Sequence, residues 1–119
     1  MSSPERRILV VEDERSVGDL LRFVLIGEGY AVELVQTAAA AIRQLEAAAY
    51  DVLITDYRLD DGDDGMAIAG YAADRGVKTI VISGYLFQIT QPDERHEYLM
   101  KPVRPSEMIA AIERVLSPT

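Results

Sequence analysis

The chain has 119 residues with a net charge of −8, and 49% of its residues are hydrophobic. This length and composition predict one globular domain with a single core. The acidic balance argues against nucleic acid as a direct partner, because phosphate backbones bind lysine and arginine. The absence of cysteine excludes disulfides and thiolate ligands, and no apolar run reaches the ~20 residues of a membrane span. We therefore expect a cytoplasmic single domain over residues 1–119, with no membrane partner and with polar tails at 1–6 and 117–119.

Short apolar runs alternate with helical patterns along the chain. The strand candidates are Ile8–Val11, Ala31–Val35, Val52–Thr55, Thr79–Ser83 and Tyr98–Met100. Three of these runs, ILVV, VLIT and TIVIS, are continuously apolar, which is typical of strands that are covered on both faces. Strands that alternate with helices predict an α/β domain with a parallel sheet between two layers of helices.

The first two helices are predicted from apolar spacing and capping residues. The first helix has its apolar residues at helical spacing, at Val17, Leu20, Leu21, Val24 and Leu25. Gly27 and Gly29 are expected to end it. Thr37 is expected to cap the second helix, which carries Ala41, Ile42 and Leu45 inward.

Two further helices are predicted, and the interval between the fourth and fifth strands leaves little room for another. Small and apolar residues mark a third helix that ends at Gly76, and they are Met66, Ala69, Gly70 and Ala73. Pro105 suits the first turn of the last helix, whose apolar residues are Met108, Ile109, Ile112, Val115 and Leu116. Only residues 84–100 separate Ser83 from Lys101, and the last of these form a strand. A helix in this interval is therefore expected to be short, displaced or absent.

Polar residues follow the apolar runs at the predicted ends of the strands. Glu12 and Asp13 follow the first run, Asp56 the third, Ser83 the fourth and Lys101 the fifth. Ligands of open α/β sheets bind outside these ends, so we expect the five side chains to converge. Three neighbouring carboxylates repel one another, and a hard divalent cation would neutralise them better than one lysine. The pattern therefore predicts bound Mg²⁺, or Mn²⁺ in its place.

The same side chains suit phosphoryl transfer to a carboxylate. Asp56 would be the nucleophile, Lys101 would pair with one phosphoryl oxygen, and the Ser83 hydroxyl would donate to another. Simpler interpretations stay open. Glu12 and Asp13 could form a turn and helix cap, Asp56 could cap a loop, Ser83 could be a turn hydroxyl, and Lys101 could be solvated.

Four stretches in order carry a family resemblance: ILVVEDE, VLITDYRL, the hydroxyl in ISGY and the Lys-Pro pair in YLMKP. Together they make the chain similar, over essentially its whole length, to the receiver domain of two-component response regulators. The resemblance implies a flavodoxin-like α/β fold, with a doubly wound five-stranded parallel sheet in the order 2-1-3-4-5. It also implies phosphorylation at Asp56 by a partner sensor histidine kinase.

The resemblance assigns roles to further residues. Mg²⁺ would be surrounded by four ligands, which are Glu12, Asp13, Asp56 and the backbone carbonyl of Arg58. Ser83 would be the switch hydroxyl, Tyr98 the rotating switch aromatic, and Pro102 a cis-proline. A static core aromatic is the alternative for Tyr98.

Two parts of the chain depart from the family pattern. Family members usually carry proline near position 60, where this chain has the acidic loop LDDGDDG, so we expect altered loop dynamics with an intact site. Arg58 and Tyr85 lie two residues beyond Asp56 and Ser83, at positions that resemble those tuning hydrolysis of the acyl phosphate. Their bulk predicts slow self-dephosphorylation.

The segment after Ser83 is the larger departure. Its side chains at Tyr85, Leu86, Phe87 and Ile89 are too apolar for an ordinary solvated loop, and we expect them to form a homodimer or partner interface. His96, the only histidine, is expected at the surface, with pH sensing as the alternative.

The sequence thus predicts a stand-alone response regulator that signals through changed partner binding or phosphorelay, for example to a phosphotransfer protein. It would not be an enzyme beyond self-catalysed phosphoryl acceptance and slow self-dephosphorylation. The alternatives are a phosphorylation-independent scaffold and a small Mg²⁺-dependent aspartyl-phosphate phosphatase.

Overall fold

The computed structural model describes residues 5–59, 64–84 and 89–117. The strands are β1 (Arg7–Val11), β2 (Ala31–Val35), β3 (Val52–Asp56), β4 (Lys78–Ser83) and β5 (His96–Met100). The helices are α1 (Arg15–Gly27), α2 (Ala38–Ala47), α3 (Gly65–Asp74) and α4 (Pro105–Leu116). All five predicted strands are therefore confirmed, although β5 begins two residues earlier than predicted. None of the helices in the described ranges is long and apolar enough to cross a bilayer.

The five strands form one parallel sheet in the order β2-β1-β3-β4-β5, which confirms the predicted topology. The strand order reverses between β1 and β3, which are paired with Val11 opposite Thr55. In sheets of this kind the chain leaves such neighbouring strands toward opposite faces, which opens a crevice at their carboxyl ends.

Each face of the sheet has its own apolar core, so the domain has two cores and not the single core that its length and composition predicted. On one face, Ile8, Val10 and Ile54 belong to a cluster that includes residues of α1 and α4. On the other face, Leu9 and Leu53 belong to a cluster with residues of α2 and α3. Successive strand residues thus point into different cores, which explains why the strand sequences are continuously apolar.

The predicted helix ends agree with the structure. The Thr37 hydroxyl accepts a hydrogen bond from the backbone N–H of Ala40 at 3.1 Å, which caps α2. Gly29 and Gly76 follow α1 and α3 with φ of +95° and +83°, a conformation that glycine adopts without steric cost. Pro105 is the first residue of α4.

The buried faces of two helices differ from the predicted stripes. In α1, Val17 is 43% exposed and Leu20 is 63% exposed, so part of the apolar stripe lies outside the core. In α3 the buried residues after the first are Ile68, Ala69 and Ala72, rather than a face that includes Gly70 and Ala73. Their positions depend on how each helix packs against the sheet, which apolar spacing alone does not specify.

The interval between β4 and β5 has turns and no helix in its described part, residues 84 and 89–95. This agrees with the expectation that a helix there is short, displaced or absent. Tyr85, Leu86 and Phe87 lie outside the described residues, as do Asp60–Asp63 of the acidic loop, and Ile89 is half-buried. The predicted interface in this segment stays a prediction.

Candidate functional site

Three carboxylates meet at the carboxyl ends of β1 and β3. Glu12 follows β1 and is 7% exposed, and Asp56 is the buried last residue of β3. Together with half-buried Asp13, each residue offers an oxygen, and these oxygens lie within 4.8 Å of one another. The cluster arises because β1 and β3 are parallel neighbours with Val11 opposite Thr55, so that the next residues, Glu12 and Asp56, lie at the same level. Glu14, rather than Glu12 or Asp13, is the N-cap residue of α1.

Lys101 and Ser83 complete the predicted group from the neighbouring strands. The Nζ atom of Lys101 lies 3.2 Å from Oδ1 of Asp56. The backbone N–H of Lys101 donates to the carbonyl of Ser83 at 2.8 Å, and Ser83 is the buried last residue of β4. A small pocket of about 90 Å³ is lined by residues that include all three. The peptide bond between Lys101 and Pro102 is cis, the isomer that the resemblance implies.

Burial and the neighbouring charges shift the pKa values of Glu12, Asp56 and Lys101. Burial raises the pKa of Glu12 from 4.5 to about 8, with Asp56 adding to the rise and a hydrogen bond from the Glu14 N–H opposing it. Burial also raises the pKa of Asp56, against the opposing effects of Glu12 and Lys101. Burial lowers the pKa of Lys101, but the charge and hydrogen bond of Asp56 together with the charges of Glu12 and Asp13 outweigh burial, so the net shift is upward. With a pKa of about 8, Glu12 holds a proton at neutral pH and can donate it in a hydrogen bond to Asp56, which lies beside the Lys101 ammonium.

This donor set fits a hard divalent cation. Glu12, Asp13 and Asp56 supply closely spaced carboxylate oxygens, which are the ligands that Mg²⁺ prefers in proteins. Arg58, whose carbonyl the resemblance names as a further ligand, lines the small pocket with Asp56. It also forms an antiparallel bridge with Asp64 that closes the base of the acidic loop.

Gly65 is a site residue that the sequence analysis missed. A Cβ at this position would lie 1.8 Å from the carbonyl oxygen of Asp56 and 2.9 Å from that of Tyr57. The N–H of Gly65 donates to the Tyr57 carbonyl at 2.9 Å, so the start of α3 packs directly on the backbone that carries Asp56. The available signal was a glycine at a helix start, since glycine weakens a helix and often has a packing reason there.

A larger open groove of about 880 Å³ runs from the carboxylates along α1. Its apolar lining residues include Val17, Leu20, Leu21, Val24, Val103 and Met108. Asp56 and Lys101 also line it. The exposed side of α1 continues beyond the groove with Phe23, which is 77% exposed. A partner that approaches Asp56 along α1 would therefore meet an apolar surface.

Tyr98 and His96 lie on β5, on the face of the sheet that α3 covers. The Tyr98 hydroxyl accepts a hydrogen bond from the Asp93 N–H at 2.8 Å and donates to the Asp93 carbonyl at 3.2 Å. The expectation that His96 lies at the surface is wrong, because its side chain is 1% exposed. Since β5 begins at His96, this side chain alternates onto the same covered face as Tyr98. That two-residue spacing was the signal in the sequence.

Known proteins resemble the chain over most of its length. A family model described as the response regulator receiver domain matches residues 8–113. The regulatory protein VanR of Enterococcus faecium is 30% identical over 118 residues, which cover 92% of this chain and 49% of VanR. The DNA-binding response regulator MtrA of Mycobacterium tuberculosis is 26% identical over 117 residues, covering 94% of this chain and 51% of MtrA. The chain thus spans about half the length of these curated relatives.

Solved structures share the fold. A response regulator receiver protein from Sinorhizobium medicae superposes with a TM-score of 0.85 at 28% identity, covering 97% of each chain. The response regulator TrrA of Thermotoga maritima, solved in complex with Mg²⁺-BeF, has a TM-score of 0.82 at 26% identity, covering 93% of this chain and 99% of TrrA.

Proposed function

Because the chain belongs to the family of response regulator receiver domains, we propose that Asp56 accepts a phosphoryl group from a partner histidine kinase. The observation that carries this proposal is the buried Asp56 carboxylate with the ammonium of Lys101 at 3.2 Å. The pocket that these two residues share with Ser83 provides a place for the transferred group. The phosphorylated domain would then signal through changed partner binding, or pass the group to a phosphotransfer protein.

The chemistry follows from the positions of these side chains. An oxygen of Asp56 attacks the phosphorus atom, a P–O bond forms, and the P–N bond to the kinase histidine breaks with its electron pair leaving on the imidazole. Lys101 favours the ionised form of Asp56, because its charge and hydrogen bond oppose the rise in the Asp56 pKa, and it then pairs with a phosphoryl oxygen. The hydroxyl of Ser83 donates to another oxygen.

We propose that Mg²⁺ is bound by Glu12, Asp13, Asp56 and the carbonyl of Arg58, with Mn²⁺ as a substitute. The closely spaced acidic oxygens support this, and the similar protein TrrA was solved in complex with Mg²⁺-BeF. When bound, the ion supplies positive charge to the oxygens of the transferring group.

The groove beside Asp56 supports docking of the kinase along α1. A donor that brings its phosphoryl group to Asp56 must cover the adjoining surface, where Leu20 is exposed and apolar. Burial of apolar surface would hold the donor in place. The acidic cluster alone would repel a phosphorylated partner.

We propose further that the domain accepts and slowly loses its phosphoryl group without acting as a turnover enzyme. Arg58 lines the small pocket of Asp56, where its bulk would restrict an attacking water. We propose separately that the apolar residues Tyr85, Leu86, Phe87 and Ile89 form a homodimer or partner contact. Analytical ultracentrifugation with and without phosphorylation tests the dimer, which a monomer in both states would contradict.

Intact mass spectrometry after incubation with acetyl phosphate tests the central proposal. The wild type should gain one phosphoryl group only with Mg²⁺, and Asp56→Asn should gain none. Asp19→Asn removes an exposed aspartate of α1 and serves as the control that should behave as wild type. Absence of the gain in the folded wild type, with a cognate kinase also failing, would contradict phosphoryl acceptance.

Comparison of two phosphoryl donors tests the docking surface. Leu20→Glu should lower the rate of transfer from the kinase and leave transfer from acetyl phosphate unchanged. Ile26→Glu places the same charge on an exposed part of α1 that does not line the groove, so its effect should be smaller. Equal rates for the Leu20→Glu variant and wild type with the kinase would count against the groove.

A further inference from the structure

A buried polar cluster surrounds His96 at the end of β5 opposite to the carboxylates. The Nδ1 atom of His96 forms a hydrogen bond with the hydroxyl of Thr79, its paired neighbour on β4. That hydroxyl also lies 3.3 Å from the carbonyl of Arg95, to which it can donate. Thr79 is fully buried and the His96 side chain is 1% exposed, so the imidazole ring itself is shielded from solvent.

The turn before β5 carries the charges nearest to His96. The Nε2 atom of His96 lies 3.8 Å from Oδ2 of Asp93. The guanidinium of Arg95 binds the same carboxylate, with distances of 3.1 Å to Oδ1 and 2.8 Å to Oδ2. Arg95 also donates to Asp74 at the end of α3 at 2.8 Å. The turn is therefore fastened to α3 by an ion pair that depends on Arg95.

Asp93 also connects this cluster to Tyr98. Its backbone N–H and carbonyl both bind the Tyr98 hydroxyl. The rings of His96 and Tyr98 meet edge to face, with centroids 6.1 Å apart. A change in the position of Asp93 therefore acts on Tyr98 directly.

We propose that His96 is an acid-sensitive latch: when it takes up a proton, it competes with Arg95 for the Asp93 carboxylate and loosens the turn that holds the Tyr98 hydroxyl. Neutral His96 leaves Asp93 to Arg95. Protonated His96 would be a second cation beside the Asp93 carboxylate, which is 30% exposed and already binds Arg95, so one carboxylate would serve two cations.

The groups facing His96 support this competition. The turn contributes Asp93 and Arg95, α3 contributes Asp74 through Arg95, and β4 contributes the uncharged Thr79. Burial lowers the pKa of His96, the charge of Asp93 opposes this, and the charge of Arg95 lowers the pKa further. The net result is a pKa below the ordinary value of 6.5. Because the folded protein favours the neutral ring, the contribution of His96 to the free energy of unfolding is fully present above pH 6.5. It declines as the pH falls below that value.

The latch is independent of phosphorylation and goes beyond the proposed function. It would give the domain a second input, because protonation of His96 at the amino-terminal end of β5 would change the hydrogen bonds of Tyr98 through Asp93. Phosphorylation at Asp56 would act from the opposite end of the sheet.

An NMR titration of the tag-free protein tests the latch, since its only histidine gives a single set of ring signals. The midpoint for His96 should lie below 6.5, and the amide of Asp93 and the ring of Tyr98 should shift with the same midpoint. A midpoint at or above 6.5 would overturn the proposal. Signals of Asp93 and Tyr98 that do not follow His96 would also overturn it.

Two variants separate the latch from general acid effects. His96→Gln keeps a hydrogen-bonding partner for Thr79 but cannot titrate, so the Asp93 amide should stay constant over the range where it moves in wild type. Continued movement would contradict the latch. Arg95→Gln removes the competing cation and should raise the midpoint of His96, whereas an unchanged or lower midpoint would show that the two groups do not compete.

Discussion

Replacing Glu12 with glutamine should stabilise the protein when no metal is added, and the gain should grow as the pH rises. Glu12 has a pKa of about 8 in the fold against an ordinary value of 4.5. The folded protein therefore holds a proton that the unfolded chain releases, so the free energy of unfolding falls as the pH rises between these values. Glutamine has nearly the shape of the protonated acid and does not titrate.

The size of the effect follows from the same pKa shift. Each pH unit above 4.5 costs the wild type about 1.4 kcal/mol, until the pH reaches about 8. At about pH 7 the difference amounts to about 3 kcal/mol, and at about pH 5 it is below about 1 kcal/mol. Because burial raises the pKa of Asp56 and the hydrogen bond with Glu12 lowers it, the comparison measures Glu12 together with its interaction with Asp56.

Urea unfolding with EDTA across about pH 5 to 8 measures the effect. Glu33→Gln, an exposed glutamate of β2, is the control and should follow the wild type. Addition of Mg²⁺ should reverse the order of Glu12→Gln and wild type, because a neutral amide binds the ion more weakly than a carboxylate. A stability difference that stays constant with pH would refute the reasoning.

Three further changes test the site and the fold. Gly65→Ala should lower the free energy of unfolding by roughly 3 kcal/mol or more, because its Cβ would lie 1.8 Å from the Asp56 carbonyl oxygen. Gly70→Ala in the same helix meets nothing within 4 Å and should be neutral or stabilising, and equal losses would contradict the packing argument. Lys101→Met should remove most of the phosphoryl gain by intact mass while Mg²⁺ binding by calorimetry is kept or strengthened, because the ammonium repels the cation. Weaker Mg²⁺ binding in the Lys101→Met variant would contradict the expected repulsion between the Lys101 ammonium and the ion. Thr37→Ala should cost about 1 kcal/mol in urea unfolding by removing the cap of α2, and unchanged stability would mean that the cap contributes nothing.

The sequence was sufficient for the sheet and for the carboxylate cluster. The run before Glu12 is apolar throughout and the run before Asp56 is apolar up to Thr55, which is typical of strands that are buried on both faces. Once the strands are parallel, the residues that follow them must gather at one edge. The positions of Glu12, Asp56 and Lys101 therefore followed from pattern and topology alone.

The environment of His96 could not be predicted with the same certainty. Its neighbours Arg95 and Glu97 are charged, and its hydrogen-bonding partner Thr79 is 17 positions away. Burial of a polar ring depends on such distant partners. The alternation of His96 with Tyr98 was the only local indication.

The contacts of Gly65 and the exposure of α1 were also not predicted, because they depend on how the helices pack. The contact of Gly65 with the Asp56 carbonyl depends on how closely α3 approaches β3. Leu20 likewise is 63% exposed in an open groove that residues of α1 and of the segment before α4 line together. Apolar spacing gives the direction of a helix face but not the depth to which it is buried.

The order in which the strands leave the ribosome has a consequence for the charged cluster. β1 and β3 pair directly and carry Glu12, Asp13 and Asp56, all within the first 56 residues of the chain. Lys101 follows β5, which pairs only with β4 at the edge of the sheet. During synthesis, from the amino terminus onward, the carboxylates can therefore come together before the lysine that balances them has been made. Proton uptake by the nascent chain, or a metal ion from the surrounding solution, would have to offset their repulsion until translation reaches the last strand.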